Sequence, residues 1–121
     1  MTKNIIKYKS FVDSRGSLSP LDFSQLPFPA KRIYWITGAQ APRGGHAHKK
    51  NIQLIICLAG TIELRIRELN DTEQDYTVQL MAPNEGFLLE PFMWHTYKLR
   101  DENSVGLVFA SELYDKDDYI I

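Results

Sequence analysis

Hydrophobic and polar residues alternate along most of this chain in short runs. The clearest is Thr61-Ile62-Glu63-Leu64-Arg65-Ile66-Arg67. Successive residues of a strand point to opposite faces, so this run predicts a strand with Ile62, Leu64 and Ile66 turned inward. Strand-like runs recur at residues 5–11, 32–37, 76–81, 87–89, 94–99 and 105–110, and residues 46–58 read as one extended stretch. Turn signals fall between them at Asp13-Ser14-Arg15-Gly16, Gly38, Gly60, Asn70-Asp71 and Pro83-Asn84-Glu85-Gly86. Residues 20–29 are irregular, and the tail at 112–119 has room for one helical turn. No twelve-residue window carries a period of 3.6. Many short strands at even spacing predict an all-β fold, a small sandwich or barrel. With no repeat, linker or low-complexity segment, the 121 residues predict one domain, 1–121.

Composition narrows the function classes. The formal net charge of −1 gives no support to a nucleic-acid partner or a charged membrane surface. The lone cysteine, Cys57, lies in the apolar run Leu54-Ile55-Ile56-Cys57-Leu58 and reads as a small buried hydrophobe. It excludes an intramolecular disulfide and fits a reducing cytoplasm. The first ten residues carry lysines but no apolar core, so no signal peptide is expected. No apolar run approaches the ~18 residues of a membrane span.

The chemistry concentrates in Arg43-Gly44-Gly45-His46-Ala47-His48-Lys49-Lys50. On a strand, His46 and His48 project to one side, and Lys50 with them. Pro42 and the two glycines allow a sharp turn just upstream. Two histidines on one face make a metal pair or a proton-transfer pair. The spacing His46, His48, Gln53, Gly60, His95 is that of metal-binding cupin barrels, except that Gln53 stands where the acidic ligand belongs. A neutral amide is a poorer partner for a divalent cation than a carboxylate. Proton transfer needs a base near neutral pKa, a phenol, and cations for an anionic substrate. Tyr34 and Arg32 share one face of the preceding strand. Arg43, Lys49, Lys50 and Arg15 lie in segments able to line a mouth, and arginine reads phosphate oxygens well. Several other residues have plainer readings. His95 is either a site residue or a hydrogen-bonded core histidine, and Glu90 either orients an imidazole or ends a strand. Trp35 and Trp94 read as packing residues, Tyr114 and Tyr119 as packing or interface residues.

These residues resemble one family over essentially the whole chain: the cupin sugar-nucleotide 3,4-ketoisomerases that act on dTDP-4-keto-6-deoxyglucose. The resemblance is carried by Asp13-x-Arg15-Gly16-x-Leu18, Leu26-Pro27-Phe28, Lys31-Arg32-Ile33-Tyr34 and, most specifically, Arg43-Gly44-x-His46-Ala47-His48-Lys49. It continues in Gln53-Leu54-Ile55-Ile56-Cys57, Gly86-x-x-Leu89-Glu90-Pro91-x-x-Trp94-His95 and Leu113-Tyr114-Asp115-x-x-Asp118-Tyr119-Ile120. Tyr34-Trp35 departs from the Tyr-Tyr pair common there.

The resemblance implies a small jelly-roll (cupin) sandwich that forms a homodimer. It implies a dTDP-linked 4-keto-6-deoxysugar as substrate, and no metal and no cofactor. Its catalytic residues would be His46, His48 and Tyr34, with Arg15, Arg32, Arg43, Lys49, Gln53 and His95 binding substrate. The ketone would move from C4 to C3 through an enediolate, with the galacto product favoured, in a route to 3-amino-deoxysugars for surface polysaccharide. A cytoplasmic location, no nucleic acid and no membrane are expected. The competing readings are a metal-dependent cupin, a dTDP-sugar 3,5-epimerase and a non-catalytic sugar-binding cupin.

Overall fold

The computed structural model describes residues 2–38, 40–71 and 75–121. Twelve strands make up nearly all of its regular structure. They are β1 (Ile5–Lys7), β2 (Phe11–Asp13), β3 (Gly16–Leu18), β4 (Arg32–Ile36), β5 (Arg43–His48) and β6 (Gln53–Ala59). The second half adds β7 (Ile62–Glu68), β8 (Thr77–Met81), β9 (Glu85–Leu89), β10 (Met93–Leu99), β11 (Val105–Ala110) and β12 (Tyr119–Ile120). Helix is limited, among the described residues, to three 3-10 turns, Thr2–Asn4, Phe23–Gln25 and Lys116–Asp118. None of these is long or apolar enough to cross a membrane.

Two antiparallel five-stranded sheets, in the orders β1-β9-β6-β11-β4 and β12-β5-β10-β7-β8, form the all-β jelly-roll sandwich that the alternating pattern and the resemblance predict. β2 and β3 form a separate hairpin, paired Phe11 to Leu18 and Asp13 to Gly16.

Alternation builds the core. On β7, Ile62, Leu64 and Ile66 are fully buried, as the sequence predicts, and meet Ile55, Cys57, Phe87, Leu89 and Val108 of the facing sheet. The apolar run 54–57 is continuous because β6 is covered on both faces. Ile55 and Cys57 point into the sandwich, while Leu54 and Ile56 point outward beneath Leu21, Leu26, Phe28 and Ala30 of the irregular segment. Cys57 is a buried hydrophobe.

Two of the extended runs are divided differently from the sequence reading. Residues 5–11 are split between β1 and the start of β2. Residues 46–58 are not one extended stretch, because a bend at Lys49-Lys50 separates β5 from β6. Lys50 therefore leaves the histidine face: it is exposed beyond the strand end, by a hollow lined with Lys31, Glu112 and Asp118.

Candidate active site

Three neighbouring strands of one sheet deliver four rings to one place. His46 on β5 lies opposite His95 on β10, and His48 on β5 lies opposite Tyr119 on β12. The ring centroids are 4.9 Å apart for His46 and His48, and 5.2 Å for His46 and His95. Tyr119 sits 4.5 Å from His46 and 4.6 Å from His48. The facing sheet contributes Arg32 and Tyr34 from β4 and Gln53 from β6. A cavity of about 240 Å³ lies between them, lined by Arg32, Tyr34, Arg43, His46, Gln53, His95, Tyr97 and Tyr119, with Gly44 at its edge.

Gly44 explains how β5 comes so close. Its φ is +89°, and a Cβ there would stand 2.9 Å from the His95 carbonyl oxygen. Only glycine adopts this conformation freely, so Gly44 lets β5 close on β10 at the bulge between His95 and Thr96. That contact sets His46 against His95.

The hydrogen bonds fix donor and acceptor roles. Gln53 Nε2 donates to Tyr34 Oη at 2.9 Å. The Tyr34 hydroxyl hydrogen therefore remains available, either to Tyr97, which is within its reach, or to a ligand. The Arg32 guanidinium lies 5.0 Å over the Tyr34 ring. Burial raises the Tyr34 pKa further than Gln53 and Arg32 lower it, so the phenol stays protonated. His95 Nδ1 donates to the Met93 carbonyl at 3.1 Å, which leaves Nε2 as an acceptor. Burial pushes the His95 pKa down to about 4, with the nearby His46 and His48 adding to the effect. Burial also lowers the pKa of His46 and His48; a contact to Asp118 partly restores that of His48. All three imidazoles are thus neutral near pH 7 and can accept protons.

His48 lies behind the cavity wall and is 4% exposed. Its Nδ1 donates to Asp118 Oδ2 at 3.1 Å, and its Nε2 is buried without a hydrogen-bond partner.

The structure gathers Tyr34, Arg32, Arg43, His46, Gln53 and His95 at the cavity, with His48 directly behind. Two candidates lie elsewhere. Lys49 is exposed, its ammonium turned to the Asp117 carbonyl at 3.2 Å, because the bend after β5 swings it away. Arg15 is on the β2–β3 hairpin, paired with Asp13 at 2.5 Å and outside this chain's cavity. Glu90 accepts from Asn4 Nδ2 at 2.9 Å, while the imidazole hydrogen bonds of His48 and His95 go to Asp118 and the Met93 carbonyl. Tyr119, read from the sequence as a packing or interface residue, lines the cavity. Tyr97 and Asp118 were not singled out for chemistry; the signals were the i+2 spacing of Tyr97 from His95 and the Asp118-Tyr119 pair in the tail motif.

Gln53 brings no charge, and among the described residues no group of three or more His, Cys, Asp or Glu is placed to hold an ion.

Comparison with known proteins shows the family. The family model described as FdtA: WxcM-like, C-terminal, matches residues 1–121. A curated TDP-4-oxo-6-deoxy-alpha-D-glucose-3,4-oxoisomerase from Aneurinibacillus thermoaerophilus is 36% identical, over 99% of this chain and 86% of that protein. The QdtA sugar 3,4-ketoisomerase from Thermoanaerobacterium thermosaccharolyticum, solved with TDP, superposes with a TM-score of 0.86. It is 36% identical, over 99% of this chain and 89% of that one. A histidine-to-asparagine mutant of QdtA, 34% identical over 99% of this chain and 88% of that one, was solved with TDP-4-keto-6-deoxyglucose (TM-score 0.86). The rmlC epimerase of Mycobacterium tuberculosis, at 15% identity and a TM-score of 0.77 over 95% of this chain and 66% of that one, shares the fold alone. The chain therefore belongs to the FdtA-like family and is an isomerase of the 3,4-ketoisomerase type.

Proposed function

We propose that the protein converts dTDP-4-keto-6-deoxyglucose into the 3-keto-6-deoxy sugar, with His46 as the base. The observation that carries this reading is the convergence of His46, His95, Tyr34 and two arginines on one cavity, in a chain whose relatives perform the same type of isomerisation. A ketone at C4 acidifies the hydrogen on C3. His46 lines the cavity and is neutral near pH 7, so it accepts that proton, and the C–H electron pair moves to give an enediolate with its charge on O4. Tyr34 is held by Gln53 as a donor and stabilises that charge. One proton then passes from O3 to O4, and protonation of C4 leaves the ketone at C3. Protons and electrons balance without an oxidant. Arg32 and Arg43 are cations suited to the diphosphate, which supplies binding energy remote from the reacting carbons.

Stereochemistry favours the galacto product. The C3 hydrogen of the substrate and the C4 hydrogen of a galacto product lie on the same ring face. One histidine can remove the first and return the second, and His46 and His48 both stand on one strand face.

Two further features concern assembly and location. The hairpin leaves Phe11, Val12 and Leu18 exposed, and the edge strand β4 exposes Ile33 and Trp35. Such surfaces favour a homodimer. A buried, unpaired cysteine and a nucleotide-sugar substrate suit the cytoplasm, in a route to amino-deoxysugars of surface polysaccharide.

The test is turnover of dTDP-4-keto-6-deoxyglucose after exhaustive chelation, followed by NMR. A 3-keto-6-deoxygalactose product supports the reading. Chelated protein that is inactive until one specific metal is restored contradicts it.

A further inference from the structure

Asp118 lies at the end of the 3-10 turn that feeds β12, and its carboxylate receives three donors. Lys50 N–H reaches Oδ1 at 2.8 Å, Asn51 N–H reaches Oδ2 at 3.1 Å, and His48 Nδ1 reaches Oδ2 at 3.1 Å. The two backbone bonds tie the tail to the bend after β5. The third bond does something different. A carboxylate held by three donors is ionised and can only accept, so the hydrogen of His48 sits on Nδ1 and the lone pair on Nε2. Burial opposes the ionised form, but the Asn51, Lys50 and His48 contacts outweigh it and hold the Asp118 pKa below the ordinary carboxylate value.

A histidine buried for structure alone has both ring nitrogens engaged. Here one is locked and the other is left open: Nε2 is buried and unpartnered, beside the rings of His46, Tyr119 and His95. An unmet buried acceptor is costly, and a hydroxyl brought in by a ligand would relieve that cost.

We infer that Asp118 is a positioning residue for the isomerisation, fixing His48 as the acceptor of a sugar-hydroxyl proton while His46 works at carbon. This rests on the function proposed above. The placement of the pair is consistent with this: His46 lines the cavity without a carboxylate partner, whereas His48 stands behind it bonded to Asp118. In proton terms, His48 Nε2 takes the hydrogen of O3 as the imidazolium forms, Asp118 stabilises that cation, and the same proton is returned to O4. The acceptor is restored with no net change.

Two measurements test this. The first needs no activity: imidazole ¹⁵N shifts of the wild-type protein near pH 7.5. His48 should be in the Nδ1–H form, and an Nε2–H form overturns the inference even if the protein proves to be inactive on the sugar. The second is a double-mutant cycle in kcat. Asp118→Asn should lower kcat about 10- to 100-fold, less than the roughly 10²- to 10⁴-fold of a lost proton-transfer group because the imidazole itself remains, with KM changed less than threefold. In a His48→Asn background the same change should cost less than threefold, because Asp118 acts through His48. Equal losses in both backgrounds would make Asp118 a brace for the bend and nothing more. Failure of the wild type to isomerise the sugar would sink the proposed function, leaving the tautomer to decide the role of Asp118.

Discussion

Acid should destabilise this fold through a histidine that does not touch the surface. His95 is 2% exposed, and burial holds its pKa at about 4 against an unperturbed 6.5. As pH falls from 6.5, the unfolded chain takes up a proton that the folded protein refuses until about pH 4. The unfolded state thus binds more protons across this window, so stability is full above pH 6.5 and is lost on the way down. The interval is about 2.5 pH units at about 1.4 kcal/mol each, which gives roughly 3 kcal/mol from this residue. His46 and His48, also lowered by burial, act in the same direction. Asp118 has a lowered carboxylate pKa, so its contribution is present above the unfolded value of 3.8 and is lost only below this window. The assay is urea unfolding at fixed protein concentration, at pH 7.5 and pH 4.5, for the wild type and His95→Gln. Glutamine is polar, similar in size and does not titrate. The variant should lose about 2 to 3 kcal/mol less than the wild type between the two pH values, because at pH 4.5 the folded histidine is still mostly unprotonated and the full interval is not yet spent. Equal losses, or a wild type of constant stability, would refute the reasoning.

The site makes three further predictions. His46→Asn should cut turnover ~10²-fold or more while leaving the fold intact; near-normal turnover removes His46 from the mechanism. Arg43→Ala should mainly raise KM, since a phosphate contact is made in ground and transition states alike; a fall in kcat at unchanged KM would place Arg43 at the reacting carbon instead. Gly44→Ala forces a Cβ to 2.9 Å from the His95 carbonyl oxygen at φ +89°, so both the midpoint of thermal unfolding and kcat should fall. A variant with wild-type values for both would show that β5 need not approach β10 so closely.

The sequence carried the fold because one face of most strands is apolar, and a period of two is readable locally. Ile62, Leu64 and Ile66 could be placed inward from spacing alone. The bend at Lys49-Lys50 could not, because it is set from afar by the Asp118 carboxylate accepting from the backbone N–H groups of Lys50 and Asn51. Lys49 and Lys50 were misplaced for that reason.

The same distance in sequence hid part of the site. His46 and His48 announce themselves by adjacency, and Tyr34 by its shared face with Arg32. Tyr119 and Asp118 arrive some seventy residues later by way of β12, and only the pairing of β12 with β5 brings them in. Gln53 looked like a weakened metal ligand in the spacing; the structure shows its amide donating to the Tyr34 hydroxyl. Arg15 belongs to the sequence motif, yet the hairpin holds it against Asp13 outside the cavity of its own chain.

The central claim is that one base moves a proton between adjacent carbons of the sugar. Incubation with dTDP-4-keto-6-deoxyglucose in deuterated water, read by NMR, tests it most directly. The account predicts a 3-keto-6-deoxygalactose whose C4 hydrogen is the substrate's own C3 hydrogen, diluted by solvent deuterium only as far as the proton on His46 exchanges, with no deuterium entering at C5. Deuterium at C5, or no movement of the ketone from C4, would contradict it.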